Sequence, residues 1–261
     1  MTDTPFDTAN TQAPHLTTLS IVSHGQGKLV AALLQDLAHC TGIAQVLITQ
    51  NLPEPPIACP DSLTTRVRTI CNTHPQGFAA NHNQAFKHCN TALFAVLNPD
   101  IHIQSDPFPT LAHTLANNKT GMVAPAVYHP NGTAEDSARH FPTLRQLFGK
   151  LLGLGDGRIH FNTQIPVAVD WTAGMFMLFK ADTYRALGGF DEGFFLYYED
   201  VDICVRLWKS GHAVVLHPGV HVIHAAQRAS RRNLRYLKWH AASMLRYFRL
   251  HLGRLPHTEQ P

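Results

Sequence analysis

The chain has 261 residues, 44% hydrophobic and 15% charged, with a formal net charge of +3 at pH 7. That length provides one large domain or two small ones with a substantial core, and the balance excludes disorder over most of the chain. The charge is too small to indicate nucleic acid, no apolar run reaches the ~20 residues of a membrane span, and the five scattered cysteines without a CxxC pair read as reduced thiols in a cytosolic protein.

Residues 1–16 are polar and acidic, lack the pattern of a signal peptide, and predict a disordered leader. Thr17–Gly25 reads as a buried strand ending in a loop, Leu29–Cys40 as a helix stopped by Gly42, and Ala44–Gln50 as a second strand. The proline-rich run Leu52–Ser62 is a loop; a strand over Thr65–Asn72 and a helix opening after Gly77 follow. Ala92–Ile101 is an apolar strand running into the turn Asn98-Pro99-Asp100. Strand, helix, strand, helix, strand at this spacing predicts a mostly parallel sheet with helices on both faces.

Beyond it, a helix near Pro107–Asn117 and a strand at Gly121–Val127 lead into a long irregular stretch, His129–Pro166. Val169–Phe179 resumes as a strand, Glu199–Gly211 as an amphipathic helix, and His212–Pro218 as another strand. The tail Ala229–Leu252 has helical periodicity and mixes arginines with aromatic residues, and no Asp or Glu occurs from Ile203 through Thr258. Two readings stand for it: a helix packed on the domain, or one lying against anionic lipid.

Three constellations carry chemistry. Asp100, on a turn at the carboxyl end of an apolar strand, can coordinate a divalent cation bridging a diphosphate, although Asn-Pro-Asp is also an ordinary turn. In Gly188–Asp202 five carboxylates share a short segment with aromatic residues, and a carboxylate against aromatic walls is partly desolvated and more basic. His217 and His221 read as structural, whereas His224 closes an apolar strand and is a reasonable second metal ligand.

The run VDWTAGMFMLFKADTYRALGGFDEGFFLYYEDVDICVRLWKSGHAVVLHPGVHVIH, with LNPDI and QGFAANHN upstream, resembles the family 2 glycosyltransferases, and within them the bacterial rhamnosyltransferase-like group. The resemblance extends from about Leu19 to about Gly253. It implies an α/β GT-A fold over residues 17–228, with a nucleotide-sugar half (17–105) and an acceptor half (106–228), followed by a basic helical tail over 229–261. It implies an inverting transfer from a nucleotide sugar, such as dTDP-L-rhamnose, to a glycan or lipid-linked saccharide, with Mg²⁺ or Mn²⁺, in the cytoplasm or on the inner membrane face. By the same resemblance Asp200 is the catalytic base, Glu199 its neighbour in the acceptor pocket, and Asp100 and His224 the metal ligands. The resemblance likewise implies that Ser23, His24, Gln50, Asn51, Gly77, Asn83, Asn98, Trp171, Gly174 and Asp191 line the donor and acceptor pocket.

The chain departs from the family pattern in its nucleotide half. It has Gln50-Asn51 where Asp-Asn is usual, His24-Gly25 where a tyrosine-asparagine pair is usual, and Gln76 where asparagine is common. These departures motivate a weakly catalytic scaffold that binds nucleotide or glycan as an alternative. A nucleotidyltransferase is another, opposed by the lack of a glycine-rich phosphate loop with lysine.

Overall fold

Alternating side chains along the strands sort the apolar residues onto two faces of one sheet. A computed structural model describes residues 16–146, 163–225 and 234–258. In chain order its elements begin with β1 (Thr17–Ser23), α1 (Gly27–Leu37), β2 (Ile43–Gln50), β3 (Val67–Cys71), α2 (Phe78–Phe86) and β4 (Leu93–Leu97). There follow β5 (Ile101–His102), α3 (Phe108–Leu115), β6 (Thr120–Tyr128), β7 (Ala138–Arg139), β8 (Val167–Ala168) and β9 (Trp171–Thr172). The chain continues with β10 (Phe176–Lys180), α4 (Ala181–Ala186), α5 (Glu199–Lys209), β11 (Ala213–His224) and α6 (Leu234–His251).

The main sheet has the order β3-β2-β1-β4-β10-β6-β11-β5, with β8 beside β11. β1, β2, β3 and β4 pair in parallel; β10 runs antiparallel to both β4 and β6, and β6 pairs in parallel with β11. Six strands therefore point one way around the inverted β10, with the two-residue β5 and β8 also antiparallel to β11, and the mostly parallel sheet expected from the sequence is observed.

Leu93, Ala95 and Leu97 of β4, Phe176 and Leu178 of β10 and Leu19 and Ile21 of β1 pack against α1 and α3 on one face. Phe94 and Val96, Met177 and Phe179, and Met122 and Ala124 of β6 face the other way, against α2, α4, α5 and Tyr247 of α6. Helices thus cover both faces, which is why β4 is buried along its whole length.

Two expectations change. The strand predicted over Val169–Phe179 is broken into β9 and β10, because the intervening backbone donors are used elsewhere: Ala173 N–H donates to Ser137 O and Gly174 N–H to the Asp200 carboxylate. Conversely, His212–Pro218 and the separate run to His224 form one strand, β11. Its register slips between His217 and His221, so that Pro218, which has no N–H, bulges out of the ladder. The expected leader lies outside the described residues except for Leu16, as do residues 147–162 of the long irregular stretch and the start of the predicted tail helix, 229–233.

Candidate active site

The carboxyl ends of β1, β2 and β3 lie side by side, with Ser23 opposite Gln50 and Gln50 opposite Cys71. This is the edge where open α/β sheets place their ligands. Asn51 organises it. Its Nδ2 donates to His24 Nδ1 (3.1 Å) and the Gln76 carbonyl (2.9 Å), and its Oδ1 accepts from Asn72 Nδ2 (2.8 Å) and Gln76 N–H (2.7 Å). Asn72 also donates to Asn81 Oδ1 (2.7 Å). Ser23 is fully buried and its Oγ accepts the Gln26 N–H, shaping the turn into α1. The Gln50 side chain is held at its edge, its Oε1 accepting from the Cys71 thiol.

At the end of β4, Asn98 N–H donates to the Met175 carbonyl (2.9 Å), and Asp100 follows, almost fully buried. The antiparallel pairing of β5 with β11 sets His224 opposite Ile101 and so brings together two residues far apart in the chain. His224 Nε2 lies 3.2 Å from Asp100 Oδ1, while Nδ1 lies 2.8 Å from Glu135 Oε2. Burial alone would lower the His224 pKa, but the hydrogen bonds and charges of Asp100 and Glu135 raise it to about 9. Glu135 is brought in by a short turn closed by the Tyr128–Ala134 bridge.

This set fits a divalent cation. Asp100 Oδ1 is buried with His224 Nε2, 3.2 Å away, as its sole close partner among the described residues, and a carboxylate fixing Nδ1 leaves that Nε2 oriented as a second ligand. Among the described residues no cluster of three or more such side chains is placed to enclose a metal. Asp100 and His224 would therefore hold only part of a coordination sphere, leaving the rest to diphosphate oxygens and water.

Asp200 lies in the first turn of α5, where the helix dipole favours negative charge. One of its oxygens accepts the Gly174 N–H (3.0 Å) and the other the Val201 N–H (2.8 Å). A Cβ at Gly174 would stand 3.1 Å from the Phe78 ring and 3.6 Å from Asp200 Cβ, so glycine leaves the carboxylate its room. Burial raises the Asp200 pKa against these hydrogen bonds, although the residue keeps an opening to solvent. Its neighbour Glu199 is 5% exposed, its Oε2 has no partner, and burial together with the Asp200 charge pushes its pKa well up. Just before this pair, Tyr197 and Tyr198 both adopt the left-handed region (φ 71° and 67°). Two successive bulky residues there store strain of the kind that persists where the surroundings hold it. Gly174 and Met175 are adjacent, so one stretch of backbone fixes both Asp200 and the turn that carries Asp100.

The remaining expected residues serve the frame. Asn83 is spent on a clasp: its Oδ1 accepts from Tyr184 OH and Phe190 N–H, and its Nδ2 donates to Phe190 O and Glu192 Oε1. Asp191 holds Arg246 of α6 through both Nε and Nη2. Trp171 donates to the His140 carbonyl beside β7. Gly77 permits α2 to start against the segment before Glu199: a Cβ there would fall 2.4 Å from the Phe195 carbonyl oxygen, and Phe78 N–H donates to that oxygen.

Sequence reasoning missed Glu135, Asn72 and Asn81, and it missed the way α6 grips the acidic segment. Ser243 Oγ donates to Leu196 O (2.8 Å), His251 Nε2 lies 2.8 Å from Asp202 Oδ1, and Trp239 packs on Phe195. The packed reading of the tail therefore holds for this face of the helix. A signal was present for Arg246, an unbalanced cation in an acid-free tail, but not for its partner.

The family described as "Glycosyltransferase like family 2" matches residues 58–246. The rhamnosyltransferase WbbL of Escherichia coli (strain K12) is 27% identical over 248 residues, covering 87% of this chain and 90% of that protein. An N-acetylglucosaminyl-diphospho-decaprenol L-rhamnosyltransferase of Mycobacterium tuberculosis is 30% identical over 139 residues, 49% of this chain but only 45% of the relative. Among solved structures, GalNAc-T7 with UDP, GalNAc and Mn²⁺ superposes with a TM-score of 0.65 at 14% identity, over 84% of this chain and 44% of that one. The fold is thus the GT-A fold.

Proposed function

Because this chain belongs to glycosyltransferase family 2, we propose that it carries out a metal-dependent, inverting sugar transfer in the cytoplasm. The donor is a nucleotide sugar, dTDP-L-rhamnose or a close relative, and the acceptor a hydroxyl of a growing surface glycan or lipid-linked saccharide. Two named relatives that transfer rhamnose, one of them to a lipid diphosphate, support the choice of donor and acceptor.

The observation that carries the reading is Asp200: a desolvated carboxylate fixed by two backbone N–H groups in the first turn of α5, on a residue that is only partly buried. Its raised basicity suits removal of a proton from the acceptor hydroxyl as that oxygen attacks the anomeric carbon. The bond to the nucleoside diphosphate breaks in the same displacement, the proton stays on Asp200, and the configuration inverts. Asp100 and His224 would hold Mg²⁺ or Mn²⁺, which when bound offsets the charge growing on the leaving diphosphate. Asn51, with Asn72 and Gln76 locked around it, forms the wall on which the nucleoside rests.

The test is transfer from dTDP-rhamnose to a lipid-diphosphate saccharide by purified protein, with product configuration read by NMR. Asp200→Asn keeps the shape and removes the base, so transfer should fall at least ~10²-fold with donor binding retained. Turnover near that of the parent would exclude Asp200 as the base.

A further inference from the structure

The packing of α6 consumes one side of the helix and leaves the other facing water. Ser243, Tyr247 and His251 are buried against the domain, and Trp239 and Arg246 are partly covered beside them. At ~100° per residue, Leu234, Leu237, Ala241 and Leu245 fall on the opposite side. Leu234, Leu237 and Leu245 are 74%, 64% and 72% exposed, and Leu252, just past the helix end, is 57% exposed. Lys238 and Arg249 are exposed on this side and Arg254 beyond it. The acid-free sequence from Ile203 through Thr258 supplies no carboxylate to offset them. The tail aromatics do not account for this surface: Trp239 and Tyr247 already pack inward, on Phe195 and Tyr198.

Leucines exposed in a row cost solubility unless something covers them. A second copy pressing the same face on its twin would set Lys238 and Arg249 against Lys238 and Arg249. An anionic lipid leaflet meets both properties at once, taking the leucines among its acyl chains and the cations at its headgroups. We propose that the outward face of α6 docks this protein on an anionic membrane surface, while the inward face holds the Asp191–Asp202 segment. Docking goes beyond sugar transfer, and its test uses neither donor nor acceptor, so it stands or falls separately from the reaction.

The test is sedimentation of the full chain with vesicles of phosphatidylcholine alone or mixed with phosphatidylglycerol. The protein should bind the mixed vesicles at least ~10-fold more than the neutral ones at 0.1 M salt. It should lose that preference at 1 M, as the Debye length shrinks from ~10 Å to ~3 Å. The combined variant Leu234→Gln, Leu237→Gln, Leu245→Gln changes only exposed side chains, so it should melt like the parent and stay in the supernatant. Lys238→Glu with Arg249→Glu should abolish the preference for the anionic lipid. A full chain that remains in the supernatant with mixed vesicles at low salt overturns the proposal. So does a leucine variant that melts normally and still sediments. A dimer in solution that the leucine variant dissociates, with no vesicle binding, also overturns it and assigns the face to a second copy.

Discussion

Glu199 and Asp200 are neighbours held in different ways. Both Asp200 oxygens accept backbone N–H groups, whereas Glu199 buries an oxygen with no partner, and burial beside the Asp200 charge pushes its pKa well up. Desolvation disfavours the ionised form, so the folded protein holds the Glu199 proton to higher pH than the unfolded chain does. Its contribution to stability is therefore neutral below the ordinary value of 4.5 and increasingly unfavourable as pH rises toward the folded value. Glu199→Gln should accordingly raise stability by about 1–3 kcal/mol at mildly alkaline pH. The gain should vanish near pH 4.5, as read by thermal unfolding across the range. His224 has the opposite sign: its folded pKa of about 9 lies above the ordinary 6.5, so its pairing with Asp100 and Glu135 is fully present below 6.5 and lost through about 9. A cation on Nε2 competes with that proton. The rise in melting temperature produced by Mn²⁺ with a nucleoside diphosphate should grow from pH 6.5 to about 9. It should disappear in Asp100→Ala and shrink in His224→Ala; an equal rise in Asp100→Ala would remove Asp100 from the metal site.

At the scale of elements, the close approaches decide what can be changed. The Phe195 carbonyl stands 2.4 Å from where a Cβ on Gly77 would be, and a carbonyl cannot swing aside as a side chain can. Gly77→Ala should cost about 1–3 kcal/mol by displacing the start of α2 from the segment leading to Glu199, measured by denaturant unfolding. Transfer should fall further than stability explains, because that segment leads into Glu199 and Asp200, the proposed base. Elements with a clean period were legible from sequence: β1, β2, β4, α1 and α5 lie within a few residues of their expected positions, because burial on one or both faces writes the pattern directly. β9 and β10 were not separable, because the residues between them are as apolar as a strand; what interrupts it is the demand of Ser137 and Asp200 for backbone donors. The tail has one period and two readings: the packed one describes the inward face of α6, and the lipid one is what we propose for its outward face.

For the molecule as a whole, the candidate site is legible where it is local and obscure where it is assembled. Glu199-Asp200 sits inside a single motif, and Asp100 and His224 were paired through the resemblance. Glu135 reaches His224 across 89 positions from an irregular segment with no period to announce it. Asn83 and Asp191 were assigned to the pocket by position in a motif, yet their hydrogen bonds go to Tyr184, Phe190 and Arg246, an allocation set by tertiary packing.

The inverted strand also orders events at the ribosome. β1 to β4 are neighbours in both sequence and sheet, apart from the β1–β4 crossover, and can pair as they emerge. β10 is then inserted between β4 and β6, two strands synthesised well before it. Until Phe176–Lys180 leaves the exit tunnel, β4 presents an open edge and β6 has no partner strand, because its other neighbour β11 is made later still; this is the state most exposed to wrong pairing and to chaperones. The acidic segment waits longer still, since Arg246, the partner of Asp191, is made 55 residues after it and His251 49 residues after its partner Asp202. A ribosome stalled before α6 would display the β1–β4 sheet with the Asp191–Asp202 segment still lacking the Arg246 and His251 contacts that clamp it.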